Sequence, residues 1–237
     1  MMTAGVLLAV IAVMVWTRRA AKRSGATGVR PYELIYLFFS SAFLGDCFET
    51  VFVWLTTGVL MSRSSLLYAP LSLVWGLGAV LATLTLYPLA SRSAALLFTC
   101  GAVLGGGFEY LTSLALELTL HRVFWDYSRI PFNLAGRTNL LYSLFWGAAA
   151  VFWVRVAAPR LLALLHRVPP RTIQAVTMAA IVLLTADMTV SSAALLRMRE
   201  RSTGAPPDSR VERLLDTWYS DEMLHHHYQN MALPPAA

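Results

Sequence analysis

The sequence predicts an all-α membrane protein, a polytopic bundle of about six transmembrane helices followed by an amphipathic C-terminal tail helix. Hydrophobic residues make up 57% of the 237 residues and charged residues 14%, whereas soluble domains average about 45–50% and 25%. The apolar residues lie in long runs, and from Ser202 the composition changes to Gly, Pro and charge. The chain therefore divides into an N-terminal anchor and basic loop (1–31), a helix bundle (32–199) and a polar tail (200–237).

The first apolar run, residues 3–16, predicts a short or tilted signal anchor. It is shorter than the roughly 20 residues that a membrane-spanning helix needs. Its basic cluster follows the apolar run, whereas a cleaved signal peptide carries its basic residues first. Residues 25–31 are then predicted to form a basic connection.

Longer apolar runs predict the core helices of the bundle. They are residues 32–60, 71–89, 94–120, 138–158 and 172–196. Pro70 stands just before the second of these runs, where a proline suits a helix start, and Pro159 stands at the end of the fourth. Gly101 and Gly105 form a GxxxG spacing, which lets helix backbones approach closely.

The distribution of basic residues predicts the orientation. The heaviest clusters lie before the apolar run 32–60 and before the apolar run 172–196. They are Arg18, Arg19, Lys22, Arg23 and Arg30, then Arg155, Arg160, Arg167 and Arg171. Positively charged loops stay in the cytoplasm, so the loop at 125–137 and the tail are expected outside, although Arg197, Arg199 and Arg201 oppose this for the tail. We expect a multi-pass protein of the inner (cytoplasmic) membrane, surrounded by lipid. The basic residues lack the motif context of a nucleic-acid-binding protein.

The tail is predicted to contain one amphipathic helix. Asp208 or Ser209 would cap it, and it would run to about Tyr228. Its apolar face would comprise Val211, Leu214, Leu215 and Trp218. Such a helix would lie on the membrane or on the protein itself.

No metal or other cofactor is predicted. His225, His226 and His227 are consecutive, so on a helix their side chains point in different directions. Cys47 and Cys100 both lie in apolar runs, without the CxxC spacing of a metal site and without a disulfide framework.

Three acids on alternate helices predict a site within the membrane. Glu49, Glu109 and Asp187 each lie about fifteen residues from the cytoplasmic start of a helix, roughly 22 Å along it. An acid at a helix centre costs about 2.5–3.5 kcal/mol on insertion scales. With Asp46 and Glu117 added, the acids outnumber the bases within reach, Arg137 and, less favourably, Arg63. The remaining acids must hold a proton, contact water or bind a cation; interhelical hydrogen bonding is the alternative.

The segment 124–137 combines aromatic, charged and amide side chains between two apolar runs. Pro131 and Gly136 disfavour a continuous helix. We expect Arg137 to bind a carboxylate of Glu109, Glu117 or Asp126, since its planar fork suits carboxylates. The alternative is an interfacial loop with aromatic anchors. The predicted substrate- or ion-binding residues are Glu49, Glu109, Asp187, Glu117, Asp126, Asn133, Arg137 and Asn139.

The same segment carries a recognisable signature. Residues 125–128 read WDYS, 131–133 read PFN and 136–137 read GR. With Phe108-Glu109-Tyr110, these residues resemble the bacterial membrane proteins of the putative ABC-transporter type IV family, usually described as ABC transporter permeases. The resemblance covers roughly 32–199, with departures at Gly45-Asp46, where the family has Gly-Trp, and at Arg63-Ser64, where it has Arg-Gly.

The resemblance implies a transport protein. Its carboxylates would form a midplane site for a proton, a cation or a cationic solute, the depth at which transporters commonly bind. The sequence has no GxxxxGK(S/T) motif, so a separate ATPase subunit would be the partner. It has no HExxH or GxSxG motif either, and no catalytic residue is predicted.

Other functions stay open at this point. One alternative is a membrane-embedded enzyme on a lipid-linked substrate, with Glu49 or Glu109 as general base and Arg137 holding an anionic headgroup. Another is an accessory or scaffold subunit whose WDYS loop is a docking surface. A homo-oligomer also stays open.

Overall fold

A computed structural model of the chain describes residues 2–24 and 28–232. Residues 25–27 of the predicted basic connection and 233–237 of the tail lie outside it. The helices are α1 Met2–Ser24, α2 Pro31–Thr57, α3 Leu73–Thr85, α4 Ala94–Leu120, α5 Leu140–Phe152, α6 Ala158–Leu165, α7 Pro170–Ser202, α8 Arg210–Trp218 and α9 Asp221–His227. Two short strands, β1 (Asn133–Leu134) and β2 (Thr138–Asn139), form an antiparallel pair. The predicted all-α membrane bundle is confirmed.

Helices long and apolar enough to span a membrane are α1, α2, α4, the continuous α5–α6 unit and α7. The first run is longer than predicted, because α1 has 23 residues and continues through its basic cluster. Arg and Lys are good helix formers, so the end of the apolar run does not end the helix. Conversely, α3 has 13 residues and is about 20 Å long, short of a hydrocarbon core of about 30 Å. It is followed by the 3₁₀ turn Tyr87–Leu89.

Pro159 does not end its helix, contrary to the boundary suggested by the apolar run. A π-helical turn, Trp153–Ala157, joins α5 directly to α6. Pro159 lies just after this π-helical turn, and the wider turn makes room for a proline ring that would clash with the preceding turn of a regular α-helix. The indole of Trp153 donates a hydrogen bond of 2.9 Å to Thr83 Oγ1 and so ties this turn to α3.

Glycines on α4 form its contact with α5, as the GxxxG spacing predicted. A Cβ atom on Gly101 would overlap Ala150, one on Gly105 would overlap Trp146, and one on Gly106 would overlap Ser143. On the facing helix, a Cβ atom on Gly147 would lie 2.7 Å from the Phe98 carbonyl oxygen. The two backbones therefore approach as closely as glycine allows.

Gly105→Val is expected to lower the free energy of unfolding by about 1–3 kcal/mol or more, because the added side chain must displace Trp146. The matched control is Gly5→Val in α1, where a Cβ atom would meet nothing within 4 Å. Denaturant titration of both variants in detergent micelles measures the difference. Equal stability of the two variants would contradict close packing of α4 on α5.

The polar loop and the tail lie at the same end of the bundle. Val123 and Ala232 form an antiparallel β-bridge that joins the loop after α4 to the chain after α9. The segment between α2 and α3 also reaches this end, where Leu67 N donates to Ser191 Oγ on α7. At the opposite end, His166 lies 2.7 Å from Glu33. We refer to the first as the loop end and to the second as the basic end.

The tail contains two helices instead of the single helix predicted. Ser209 caps α8, as expected, by accepting a hydrogen bond of 3.1 Å from Glu212 N. The chain then breaks because Ser220 caps a new helix, accepting from Met223 N. At the break, the buried Tyr219 lies 2.6 Å from the Tyr68 hydroxyl oxygen. Tertiary contact thus stabilises an interruption that helical periodicity did not reveal.

Helix α8 binds the protein through its charged face and leaves most of its apolar face outward. Arg197, which is 2% exposed, donates from Nε and Nη2 to the two carboxylate oxygens of Asp216 at 2.9 and 3.0 Å. Arg201 donates to Asp216 as well. Hydrogen bonds from Arg197 and Arg201 lower the pKa of Asp216 to about 2, against the opposing effect of burial. Val211, Leu214 and Trp218 remain exposed.

Candidate functional site

The segment 124–137 folds as a compact cap on the loop end. The antiparallel pair of β1 and β2 places Asn133 opposite Asn139. Phe132, Ala135 and Gly136 have positive φ angles of 57°, 52° and 68°, which turn the chain back on itself. At Gly136 a Cβ atom would lie 2.5 Å from Asp126 Oδ1, so glycine is required there for space as well as for conformation.

Side chains of the signature hold this cap together. The Trp125 indole donates to the Arg137 carbonyl at 2.9 Å. Asp126 accepts from Ser128 N at 2.8 Å and from Ser128 Oγ at 2.9 Å. Asn133 donates to the Ile130 carbonyl and accepts from Gly136 N. Asp126 and Asn133, which we had predicted as binding residues, therefore shape the loop that carries Tyr127 and Arg137.

Glu109 is the acid on α4 toward which the cap points. It is 7% exposed; Tyr127 Oη donates to its Oε1 at 3.0 Å and Thr138 Oγ1 donates to its Oε2 at 2.8 Å. Burial raises the pKa of Tyr127 above its ordinary value, and the neighbouring Glu109 charge raises it further, so the phenol keeps its proton and donates. No cationic side chain in the described part of the chain forms an ion pair with Glu109.

Arg137 pairs with Glu117, one of the three carboxylates predicted for it. The guanidinium Nη2 lies 2.6 Å from Glu117 Oε2, with the two side chains 17% and 28% exposed. A second nitrogen donates to Ser113 Oγ at 3.3 Å. Glu109, Ser113 and Glu117 recur every four residues and so share one face of α4. The predicted ion pair is confirmed.

Glu49 has its own cationic partner. Arg63 binds Glu49 Oε1 through two nitrogens at 2.8 Å each, and the Trp75 indole donates to Oε2 at 3.0 Å. The rings of Trp75 and Trp146 are 5.5 Å apart and bridge α3 and α5. Glu49 and Glu109 lie close enough to repel each other electrostatically. Arg63, which the sequence ranked below Arg137, is thus the main base at Glu49.

Asp187 belongs to a different network. Its Oδ2 accepts from Tyr68 N at 3.3 Å and Ala69 N at 2.7 Å, and its Oδ1 accepts from Ser191 Oγ at 2.9 Å. These bonds anchor the segment between α2 and α3 on α7. None of these partners hydrogen-bonds Glu49 or Glu109 in the described residues. Asp187 is therefore removed from the predicted shared site, which leaves Glu49 and Glu109 as its acids.

The chain was compared with models of known protein families. A family model described as putative ABC-transporter type IV matches residues 36–192, more than half of the chain. The chain belongs to this family. Searches of curated proteins and of solved structures found no match. The chain is accordingly a multi-pass membrane protein of ABC-transporter type. The acids Glu49, Glu109, Glu117, Asp126 and Asp187 all lie within the matched residues.

In this member of the putative ABC-transporter type IV family, two buried polar atoms have no hydrogen-bond partner among the described residues: Asp46 Oδ1 and Asn139 Nδ2. The other amide atom of Asn139, Oδ1, caps α5 by accepting from Tyr142 N at 2.9 Å. Asn139, predicted as a binding residue, therefore has a structural role at the start of α5.

Several residues of the site were missing from the set predicted by sequence. Tyr127 was present in the WDYS signature but was interpreted as an interfacial anchor. Trp75 lay in an apolar run, and Thr138 carried no signal at all. Both donate to the acids because of how α3 and β2 pack.

Proposed function

We propose that this chain is the membrane subunit of an ABC-type transporter and that Glu109 binds a proton or an organic cation. The observation that carries this proposal concerns Glu109. It is 7% exposed, it accepts hydrogen bonds from the polar cap, and it has no cationic partner in the described residues. Membership of the family supports the transporter class. The local charge balance supports the role of Glu109.

The charge balance separates Glu109 from Glu49, Glu117 and Asp187. Asp46, which is 5% exposed, also forms no ion pair in the described residues, but unlike Glu109 it accepts no hydrogen bond from the polar cap. Arg63 compensates Glu49, and Arg137 compensates Glu117. Asp187 is stabilised by backbone N–H groups. An ionised carboxylate without such partners is costly at this depth, so a bound proton or cation would relieve the cost. The Tyr127 and Thr138 hydroxyl oxygens could then contribute further contacts to a bound cation.

Energy for transport would come from a separate ATPase subunit. The chain carries no phosphate-binding GxxxxGK(S/T) loop. We place the protein in the inner (cytoplasmic) membrane, with its basic end in the cytoplasm, because basic loops favour that side. An ATPase would therefore meet the basic end, and the cap over Glu109 would face outward.

Carbodiimide labelling tests whether Glu109 holds a proton. A hydrophobic carbodiimide reacts with protonated carboxyl groups in a membrane protein, and peptide mapping by mass spectrometry locates the adduct. We expect labelling at Glu109 near neutral pH and its loss in Glu109→Gln. Glu117 and Glu49 are internal controls, since each forms an ion pair with an arginine and Glu109 forms none in the described residues. Labelling of Glu117 without labelling of Glu109 would contradict the proposal that Glu109 holds a proton.

A second candidate is an accessory or scaffold subunit. The ion pair of Arg63 with Glu49 and the hydrogen bonds that Asp187 accepts from the segment between α2 and α3 favour it, because both hold parts of the bundle together. ATP-driven uptake of protons or an organic cation into proteoliposomes that also contain the ATPase subunit separates the two functions. If Glu109 is a transport group, Glu109→Gln should reduce the initial rate at least about tenfold, and the exposed Glu222→Gln should not. A scaffold would show no uptake that depends on Glu109.

The enzyme alternative has less support. It required Arg137 to hold an anionic headgroup beside a general base. The Arg137 guanidinium is instead bound to Glu117 and Ser113, so its donors face α4.

A further inference from the structure

The loop end contains a cavity of about 170 Å³ that the tail closes from one side. Its lining includes Arg122 from the segment after α4, Ser202 from the end of α7, and Asp221 and His225 from α9. A water molecule occupies about 30 Å³ of liquid, so the space admits a group several times larger. None of its lining residues is among the hydrogen-bond partners of Glu109.

Arg122 is buried at this cavity without an acid bound to it. The side chain is 4% exposed, and its one hydrogen bond in the described residues goes to the adjacent His121 carbonyl at 3.2 Å. A guanidinium has five donors, so most of those of Arg122 have no acceptor within the described parts of the chain. Burial lowers the pKa of Arg122, Asp221 raises it, and Arg199 lowers it again.

The neighbouring charges leave an excess of positive charge. Asp221, the acid in the lining, is already bound by Arg201 Nε at 2.8 Å. Arg199 lies near enough to repel Arg122, and its side chain forms no ion pair in the described part of the chain. A buried charge without a partner is destabilising, so an anion would stabilise Arg122, and the charge of the partly buried Arg199 would add to the attraction.

We infer that this cavity binds a phosphate group, held by the Arg122 guanidinium, with the Ser202 hydroxyl and the His225 ring as further contacts. The planar fork of an arginine pairs with phosphate oxygens through two parallel hydrogen bonds. The Ser202 hydroxyl donates to the Arg199 carbonyl, so its oxygen could contact the ligand only through water or after rotation. The inference is independent of the function proposed for Glu109.

The depth of the cavity favours a lipid headgroup as the source of the phosphate. Helix α7 has 33 residues and is about 50 Å long, whereas the hydrocarbon core is about 30 Å thick. Its last turn, which carries Ser202, therefore extends to the level of the headgroups. The apolar face of α8 is exposed beside it, as expected for a helix at a membrane interface. A free phosphate ion would satisfy the same donors.

The test uses the full chain in dodecyl maltoside micelles, which contain no phosphate. One arm titrates inorganic phosphate by calorimetry. The other adds phosphatidylglycerol, or a phosphate-free glycolipid with the same acyl chains, and counts bound lipids by native mass spectrometry. We expect phosphatidylglycerol to bind more tightly than the glycolipid, and Arg122→Gln to weaken that binding at least about tenfold.

Matched variants keep the result interpretable. Arg210→Gln removes an exposed arginine of α8 outside the cavity and should leave binding unchanged, while Arg199→Gln should weaken binding less than Arg122→Gln. Binding of inorganic phosphate alone, with the same dependence on Arg122, would assign the site to a soluble ligand. If Arg122→Gln does not fold, Arg122→Lys and Arg199→Gln replace it. A parent that binds neither probe, or variants that bind as the parent does, would overturn the inference.

Discussion

Arg137→Ala is expected to lower the free energy of unfolding by about 3 kcal/mol and to reduce the yield of folded protein. Breaking a buried ion pair typically costs about 3–5 kcal/mol, because the remaining charge is left without a partner. The lower end of that range applies here, since the Arg137 and Glu117 side chains are 17% and 28% exposed. Denaturant titration followed by circular dichroism in micelles measures the loss.

Three further variants separate the ion pair from other effects of the Arg137 substitution. Arg129→Ala removes an exposed arginine of the same loop and should change stability little. Arg137→Lys should recover only part of the lost free energy of unfolding, because an ammonium group has no planar fork with which to contact both Glu117 and Ser113. Arg137→Ala combined with Glu117→Ala should be more stable than Arg137→Ala alone. An Arg137→Ala variant as stable as Arg129→Ala would contradict the pairing.

Arg197→Ala is expected to release the tail from the bundle. Arg197 binds Asp216 through two nitrogens and also donates to Glu200 at 3.0 Å. Breaking a buried ion pair typically costs about 3–5 kcal/mol, and we expect the lower end here because Arg201 still binds Asp216 and Asp221. Asp216 would regain solvent if the tail detached, so the cost should appear as undocking of α8 and α9, with the membrane helices still folded.

Hydrogen exchange over residues 205–232 measures this undocking. We expect faster exchange and easier proteolysis of the tail in Arg197→Ala, with little change in α4 and α5. Arg213→Ala is the matched control, since Arg213 is exposed on α8 and forms no side-chain bond in the described residues. Unchanged exchange in Arg197→Ala would show that contacts such as Tyr219 to Tyr68 hold the tail without it.

The sequence was informative wherever one local property decided the outcome. Long apolar runs identify membrane helices because the hydrocarbon core requires continuous apolar length. Small residues at Gly101 and Gly105 predicted close helix contact, and Ser209 predicted a cap, because each effect depends on the residue and its immediate neighbours. Arg137 was expected to bind a carboxylate because an arginine at this depth needs one.

Tertiary packing decided the details that local properties leave open. Residue spacing gives the depth of Glu49, Glu109 and Asp187, but depth does not specify the direction in which each side chain points. Asp187 faces the segment between α2 and α3, whereas Glu109 faces Tyr127 and Thr138. Sequence therefore predicted the acids and their level but could not predict which of them would meet.

Composition and periodicity by themselves predicted a membrane helix bundle, the stretches of sequence that form its helices, and the binding of Arg137 to a carboxylate. They could do so because the free-energy cost of placing a polar group in lipid depends on each residue separately. Only the folded structure decided that the helix continues through Pro159, that it is interrupted at Tyr219, and that Glu109 forms no ion pair with any arginine, lysine or histidine of the described residues. Those outcomes depend on how each helix is rotated about its axis and on contacts between residues far apart in the chain. Many weak packing and hydrogen-bonding contributions decide them together, and no short stretch of sequence contains all the residues involved.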